Sequence, residues 1–156
     1  MSNQGIRGFY QLTETIKTSL LADVNCKTVT TGNIADINLE KQDIFPLAHI
    51  MINNVSQEDG VLRFNISIMN MDIVDVSKEP TEDLFRGNNN IQDILNTQLS
   101  VSNKLIQTLR GGSLHQDLYQ LDGNPNIEPF YDRFENELAG WVATMDVLIY
   151  NDILIC

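Results

Sequence analysis

Cysteine is scarce in this chain. Cys26 and Cys156 are the only two, too few for a disulfide framework and expected as free thiols in a reducing cytosol. Histidine is equally scarce, and neither His49 nor His115 has a partner at the spacing that completes a zinc site. Cations are outnumbered, 10 Lys and Arg against 21 Asp and Glu for a formal charge of -11. They are scattered singly, without an Arg/Lys run or interleaved aromatics. That disfavours tight nucleic-acid binding, because a duplex is itself a dense line of negative charge. No apolar stretch approaches the roughly 18 residues that span a bilayer, and Met1 to Tyr10 lacks the character of a leader. A soluble, unexported protein with no membrane partner is expected. Phosphate-binding glycine loops, dinucleotide fingerprints and Gly-x-Ser-x-Gly elbows are missing, so neither a cofactor nor an enzymatic activity is expected.

What is present is the material of a core. With 42% hydrophobic residues, a chain of this length buries about two thirds of the surface its unfolded form exposes, and one domain over 1–156 is predicted. Ile6, Phe9, Leu12, Thr13, Ile16, Leu20, Leu21 and Val24 recur at three- and four-residue steps, the mark of an amphipathic helix from about Gly5 to Asp23. Thr28 to Thr31 is β-rich and stops at Gly32-Asn33; a second short strand is expected around Ile34 to Asn38. Leu47 to Val55 reads as a half-buried strand and Ser56 to Gly60 as a turn ending in Asp-Gly. On the returning strand Leu62, Phe64, Ile66 and Ile68 alternate with Arg63, Asn65 and Ser67. Beyond Met69 the apolar residues continue through Ile73, Val74 and Val76 on a changed parity, which predicts a bulge, or a strand end buried on both faces that overhangs the sheet.

Ser77 to Asn90 gathers charged residues with Pro, Thr, Gly and Asn, and predicts an exposed loop at about 77–90. Asn90, with Asp93 three places on, predicts the cap of a second helix. Its buried stripe is Ile91, Ile94, Leu95, Leu99, Val101, Leu105, Ile106 and Leu109, and Gly111-Gly112 ends it. Asp122 to Asn126 reads as a turn. Gly140 to Tyr150 reads as a strand with Trp141, Ala143, Met145, Val147 and Ile149 on one face, followed by the apolar Ile153 to Ile155. The fold class predicted is α+β, a small mixed or antiparallel β-sheet with two main helices packed on one face.

Few residues qualify as a site. His49 interrupts an apolar strand, where a hydrogen-bonded structural histidine is the expectation, and His115 lies in a polar loop. Asp122, Asn124 and Asn126 present oxygens at alternate positions like a calcium loop, but Ile127 and Arg133 stand where such a loop needs Gly and Glu. Asp72, Asp75, Glu79, Glu82 and Asp83 have the chemistry to hold Mg²⁺, although a solvated, charged loop accounts for them as well. No catalytic, cofactor-binding or metal residue is therefore assigned. Phe130, Tyr131, Phe134 and Trp141 concentrate aromatic area that suits a core or a subunit interface.

Taken in order, Asp43-Ile44-Phe45-Pro46-Leu47-Ala48-His49-Ile50, Met69-Asn70-Met71-Asp72-Ile73-Val74-Asp75, the run from Asp122 to Phe130, and Ala139-Gly140-Trp141 resemble structural proteins of phages that infect Bacteroidetes, crAss-like phages among them. The resemblance spans about Thr28 to Asp152. The order of elements is similar to the tail-terminator and head-tail connector (tail completion) class of long-tailed phages, an analogy at the level of fold. It implies a non-enzymatic virion subunit, assembled in the host cytoplasm, that forms a homo-oligomeric ring of six or twelve copies. Portal, neck or tail proteins would be its neighbours, and DNA would pass through the lumen as cargo. A ring of such acidic subunits would present DNA with a repulsive wall. Cyclic assembly needs a heterologous interface, and the Met69 to Val76 strand end with the loop that follows is the expected source of one side.

Two other classes fit the same residues. A small acidic adaptor or inhibitor that binds one protein partner would share the charge and the lack of a site. An enzyme whose groups meet only in three dimensions, with carboxylates near Asp72 and Asp75 acting beside His49, would need a deep polar pocket.

Overall fold

The computed structural model describes residues 4–34, 42–114, 116–133 and 137–151. In chain order these form α1 (Gln4–Leu21), β1 (Thr28–Thr31), a short 3-10 turn (Gln42–Ile44), β2 (Leu47–Glu58), β3 (Val61–Ile73), α2 (Ile91–Arg110), β4 (Tyr119–Arg133) and β5 (Leu138–Tyr150). The strands make one sheet in the order β1-β2-β3-β5-β4. β1 runs parallel to β2 and every other neighbour is antiparallel. Residues of α1 and α2 share a single core with one face of that sheet, so the fold is the predicted α+β arrangement. The expected strand at Ile34 to Asn38 lies, except for Ile34, outside the described residues, as do His115, Phe134, Ile153 to Ile155 and Cys156.

α1 is seated by Leu12, Ile16 and Leu20, one helical turn apart and each at most 1% exposed. One turn earlier Gly8 lets the backbone approach β5, since a Cβ there would lie 3.2 Å from Cγ2 of Ile149. The buried stripe is narrower than the periodicity predicts: Phe9, Leu21 and Val24 face solvent, because a helix lying on a sheet covers an arc of only about 100° or somewhat more. α2 buries Ile94, Val101, Leu105, Ile106 and Leu109, while Leu99 turns outward. Gln98 and Ser102 occupy the same buried face. Their polarity is absorbed locally, the Asn70 amide donating to Ser102 Oγ at 2.7 Å and Gln98 Nε2 to the Asn25 carbonyl at 3.5 Å. Phe64, Ile66 and Ile68 of β3 and Ala143, Met145, Val147 and Ile149 of β5 meet the helices, each large side chain contributing about 1.5–3 kcal/mol by burial.

The β2–β3 hairpin corrects three expectations. β2 continues through Glu58 and the turn shrinks to Asp59 and Gly60, with Gly60 at φ +75°, a conformation that a two-residue Asp-Gly turn demands. The bulge lies in β2, where pairing shifts between Ile52 and Asn54, and not in β3. That bulge sets Asn54, Ser56 and Glu58 opposite Asn65, Arg63 and Val61, on the face away from the helices. β3 pairs with β5 through Ile73 and with β2 through Met71, so its end does not overhang. The other expectation for this end, burial on both faces, holds: Met69, Met71 and Ile73 join Phe45, Leu47, Phe130 and Leu138 in a second, smaller core on the far face of the sheet.

β4 corrects a fourth. Asp122 to Asn126, expected as a turn, interrupts one long strand whose pairing with β5 breaks after Asp122 and resumes at Asn126. Gly and Pro mark a bulge in an edge strand here, not a reversal of the chain. Neither Pro125 nor Pro129 has an N–H to offer a further strand, which suits the outermost position of β4. At the opposite edge β1 covers only Leu47 to Ile50 of β2, and among the described residues no strand flanks the outer side of Met51 to Glu58. No helix among the described residues is long and apolar enough to cross a membrane.

Candidate functional site

Beyond the second core, the sheet face opposite the helices turns polar. Asn53 Nδ2 donates to Asn65 Oδ1 at 2.9 Å and to Ser67 Oγ at 2.8 Å. Asn65 Nδ2 donates to Asp146 Oδ1 at 2.9 Å, and Ser67 and Thr144 share a hydrogen bond of 3.0 Å. These bonds run across β2, β3 and β5, and the bulge at Asn53 is what lets that side chain join them. Arg63 centres the next rung, with Glu58 Oε1 at 2.9 Å, Asp122 in direct contact and Asp146 Oδ2 at 3.9 Å. Hydrogen bonds to Glu58 and Asp122 raise its already high pKa, so the guanidinium stays charged. One cation among three carboxylates leaves the patch net negative, and its exposure makes these pairs sensitive to salt.

The second feature is the loop between β3 and α2. Its base is laced together: Val76 and Asn89 form an isolated bridge, and the Ser77 N–H donates to the Asn88 carbonyl at 2.6 Å. The Asn90 side chain does not cap α2 as predicted. It reaches back to β3 instead, its Oδ1 accepting from the Asp75 N–H at 2.6 Å and its Nδ2 donating to the Ile73 carbonyl at 3.3 Å. Asn89 Oδ1 accepts from the Ile91 N–H at 3.2 Å in its place. Toward the tip, Asp83 Oδ1 accepts from the Phe85 N–H at 2.9 Å, and Gln92 Nε2 donates to the Phe85 carbonyl at 2.6 Å. With the backbone tied on that side, Leu84 and Phe85 project 91% and 79% exposed. Scattered apolar residues on a surface are ordinary, but two large adjacent ones on a hydrogen-bonded tip form an anchor of the kind that fills a partner's pocket.

The residues singled out in the sequence take other roles. His49 is fully buried and bridges back to β1, its Nε2–H donating to the Gly32 carbonyl and its Nδ1 accepting from Thr30 Oγ1, both at 2.8 Å; a carbonyl can only accept, which fixes the tautomer. Burial holds its pKa below the ordinary histidine value against the Gly32 bond, as befits a structural histidine. Burial, with the charge of Asp23 next, pushes the Cys26 thiol up to about 11 against a hydrogen bond to the Ala48 backbone. Asp72 is raised by burial, lowered by the Ile73 N–H at 2.8 Å and raised again by Asp75. Asp75, Glu79, Glu82, Asp83 and Asp93 border an open hollow of about 760 Å³ around the loop. Among the described residues no three His, Cys, Asp or Glu side chains group as a metal site requires.

The described aromatics of the stretch from Phe130 to Trp141 divide between core and surface. Phe130 lies in the second core, Tyr131 is exposed, and Trp141 is on the helix side, where its Nε1–H donates to the Leu95 carbonyl at 2.7 Å. No protein-family model matches the chain, and no curated protein matches it.

Proposed function

We propose that the chain is a structural, non-enzymatic subunit of a phage particle, one copy in a ring at the head-tail junction or the top of the tail tube, through whose lumen DNA passes without being held. The observation that carries this reading is the polar half of the sheet. Its amides and hydroxyls are already bonded to one another, and Arg63 is already engaged by three carboxylates. Facing a lumen, such a surface repels a phosphate backbone and offers it little to grip. The projecting loop supplies the other requirement of a ring, a patch able to dock on a different patch of its neighbour. Portal, neck or tail proteins would then meet the ring above and below.

Native mass of the purified protein across concentration and salt tests the reading. A closed species of six or twelve copies that leaves duplex DNA unshifted at physiological salt is the expected result. A species of one or two copies at every concentration counts against self-assembly and favours an acidic adaptor that docks on a single protein through Leu84 and Phe85.

A further inference from the structure

We infer that the exposed half of β2 pairs antiparallel with the same strand of a second copy, with the two-fold axis at Ser56. The inference goes beyond the ring reading and does not need it. β1 covers β2 only from Leu47 to Ile50, and every residue from Asn53 to Gly60 is exposed. The carbonyl of Ile50 turns outward, where it accepts from the Gly32 N–H at 3.3 Å. Ile50, Ile52 and Val55 stand opposite Ile68, Ile66 and Phe64, alternate residues of β3, so the bulge passes the outward orientation from Ile52 to Val55 and then to Gln57. The N–H and C=O groups of Val55 and Gln57 therefore face away from β3, where no described strand meets them.

A row of unpaired backbone groups recognises another extended strand, and edges that stay single in nature carry prolines or charges that forbid it. β4 has that protection in Pro125 and Pro129. The run Asn53-Asn54-Val55-Ser56-Gln57-Glu58 has no proline, and its single charge, Glu58, is already engaged by Arg63 at 2.9 Å. No helix shields it either. At this end of the sheet the backbone of α1 approaches Leu62 of β3 and Ile149 of β5 at Gly8, and Val55 is left 47% exposed.

The mate is a second copy, and on it β4 is closed by its prolines and β1 is four residues long, so β2 answers β2. Register and charge fix the arrangement. With Ser56 opposite Ser56, Val55 and Gln57 of each copy lie opposite Gln57 and Val55 of the other and exchange four backbone hydrogen bonds. Ile50, where β1 stops, then falls beyond the partner's turn at Asp59 and Gly60, so the two β1 strands do not collide. Asn54 meets Glu58, and no two charges lie opposite. The two Glu58 residues stand roughly 13 Å apart along the strands, beyond the ~8–10 Å over which exposed charges act at ordinary salt. Two copies of a chain carrying -11 can therefore meet here without like charges facing each other.

Disulfide trapping tests the pairing, in a Cys156→Ser chain whose remaining thiol, Cys26, is buried. Antiparallel residues between two hydrogen-bonded pairs have Cα atoms about 4.5 Å apart, within the span of a disulfide, so Ser56→Cys should give a covalent dimer under mild oxidation. Asp59→Cys, equally exposed but roughly 20 Å from its mate in this register, should form one at least about ten times more slowly. Gln57→Pro removes an N–H that the fold does not use, so it should leave circular dichroism unchanged and slow trapping at position 56 by about tenfold or more, through the lost bonds. Equal trapping at positions 56 and 59, trapping at neither, or trapping indifferent to Gln57→Pro in a folded chain overturns the pairing. Native mass separates this from the ring reading: six or twelve copies without the link at position 56 keep the ring alone, and a linked species that stops at two copies keeps the pairing alone.

Discussion

Replacing His49 by Leu tests whether a side chain holds the parallel edge strand in place. β1 is four residues long and, among the described residues, pairs only with β2, Thr30 lying directly opposite His49. The ring nitrogens add two hydrogen bonds, to Thr30 Oγ1 and the Gly32 carbonyl, at 2.8 Å each. Leucine keeps the apolar volume and loses both bonds, each with a net worth of about 0.5–1.5 kcal/mol, so the variant should unfold about 1–3 kcal/mol more easily. The loss should be concentrated locally, with faster amide exchange at Val29, Thr30 and Thr31 and little change at the centre of β3. Its pH dependence has a defined sign. The folded-state pKa of His49 is depressed, so the unfolded chain takes up the proton first. The stability that the neutral, buried ring contributes is fully present above about pH 6.5 and is lost as pH falls through the folded value. Urea midpoints measured from pH 7 to pH 5 should therefore show the gap between wild type and variant shrinking toward acid, His115 being common to both. A gap that does not change with pH, or unaltered exchange in β1, would refute the reasoning.

Gly140→Ala places a Cβ against the Asn70 carbonyl and the Met71 backbone, where β3 and β5 are closest; a loss of about 3 kcal/mol or more is expected, and a thermal melt identical to wild type would contradict that packing. In a Cys156→Ser chain, Cys26 should react with a thiol reagent at pH 8 far more slowly folded than unfolded, because its pKa is about 11 in the folded state and the thiolate is the nucleophile. The same shift contributes stability that is intact below about pH 9 and disappears as pH rises through 11, so alkaline unfolding should come later in a Cys26→Ala chain once its lower stability at pH 7 is subtracted.

Elements with a strong internal period were legible in the sequence, and elements defined by pairing were not. Leu12, Ile16 and Leu20, and the alternation from Leu62 to Ile68, announce their buried faces because helix and strand geometry repeat along the chain. β4 was hidden because Gly123 and Pro125 carry the chemistry of a turn, and only the presence of β5 alongside turns that kink into a bulge. The change of step among the apolar residues after Met69 admits either a bulge or a strand end buried on both faces, and only the second core on the far face makes it the latter. The polar half of the sheet shows the limit best. Arg63, Asn65 and Ser67 are visibly the outward set, but which residues they meet depends on register, and Asp122 and Asp146 are distant in sequence. Leu84 and Phe85 sit inside a loop whose composition announces only its charges. Their exposure follows from the bonds of Asp83 and Gln92, which no composition displays.

The two sheet edges have a consequence for a protein made in many copies. Endless lateral growth by strand addition needs two receptive sides on every molecule, as a chain of links needs two hooks each. β4 offers Pro125, Pro129 and a broken ladder, whereas the outer side of β2 from Met51 to Glu58 is free among the described residues. A molecule with one receptive side can be capped by a single partner strand and then stops. Backbone pairing of this kind ends in a pair at most, so a larger assembly must take its copy number from side-chain contacts whose angle closes.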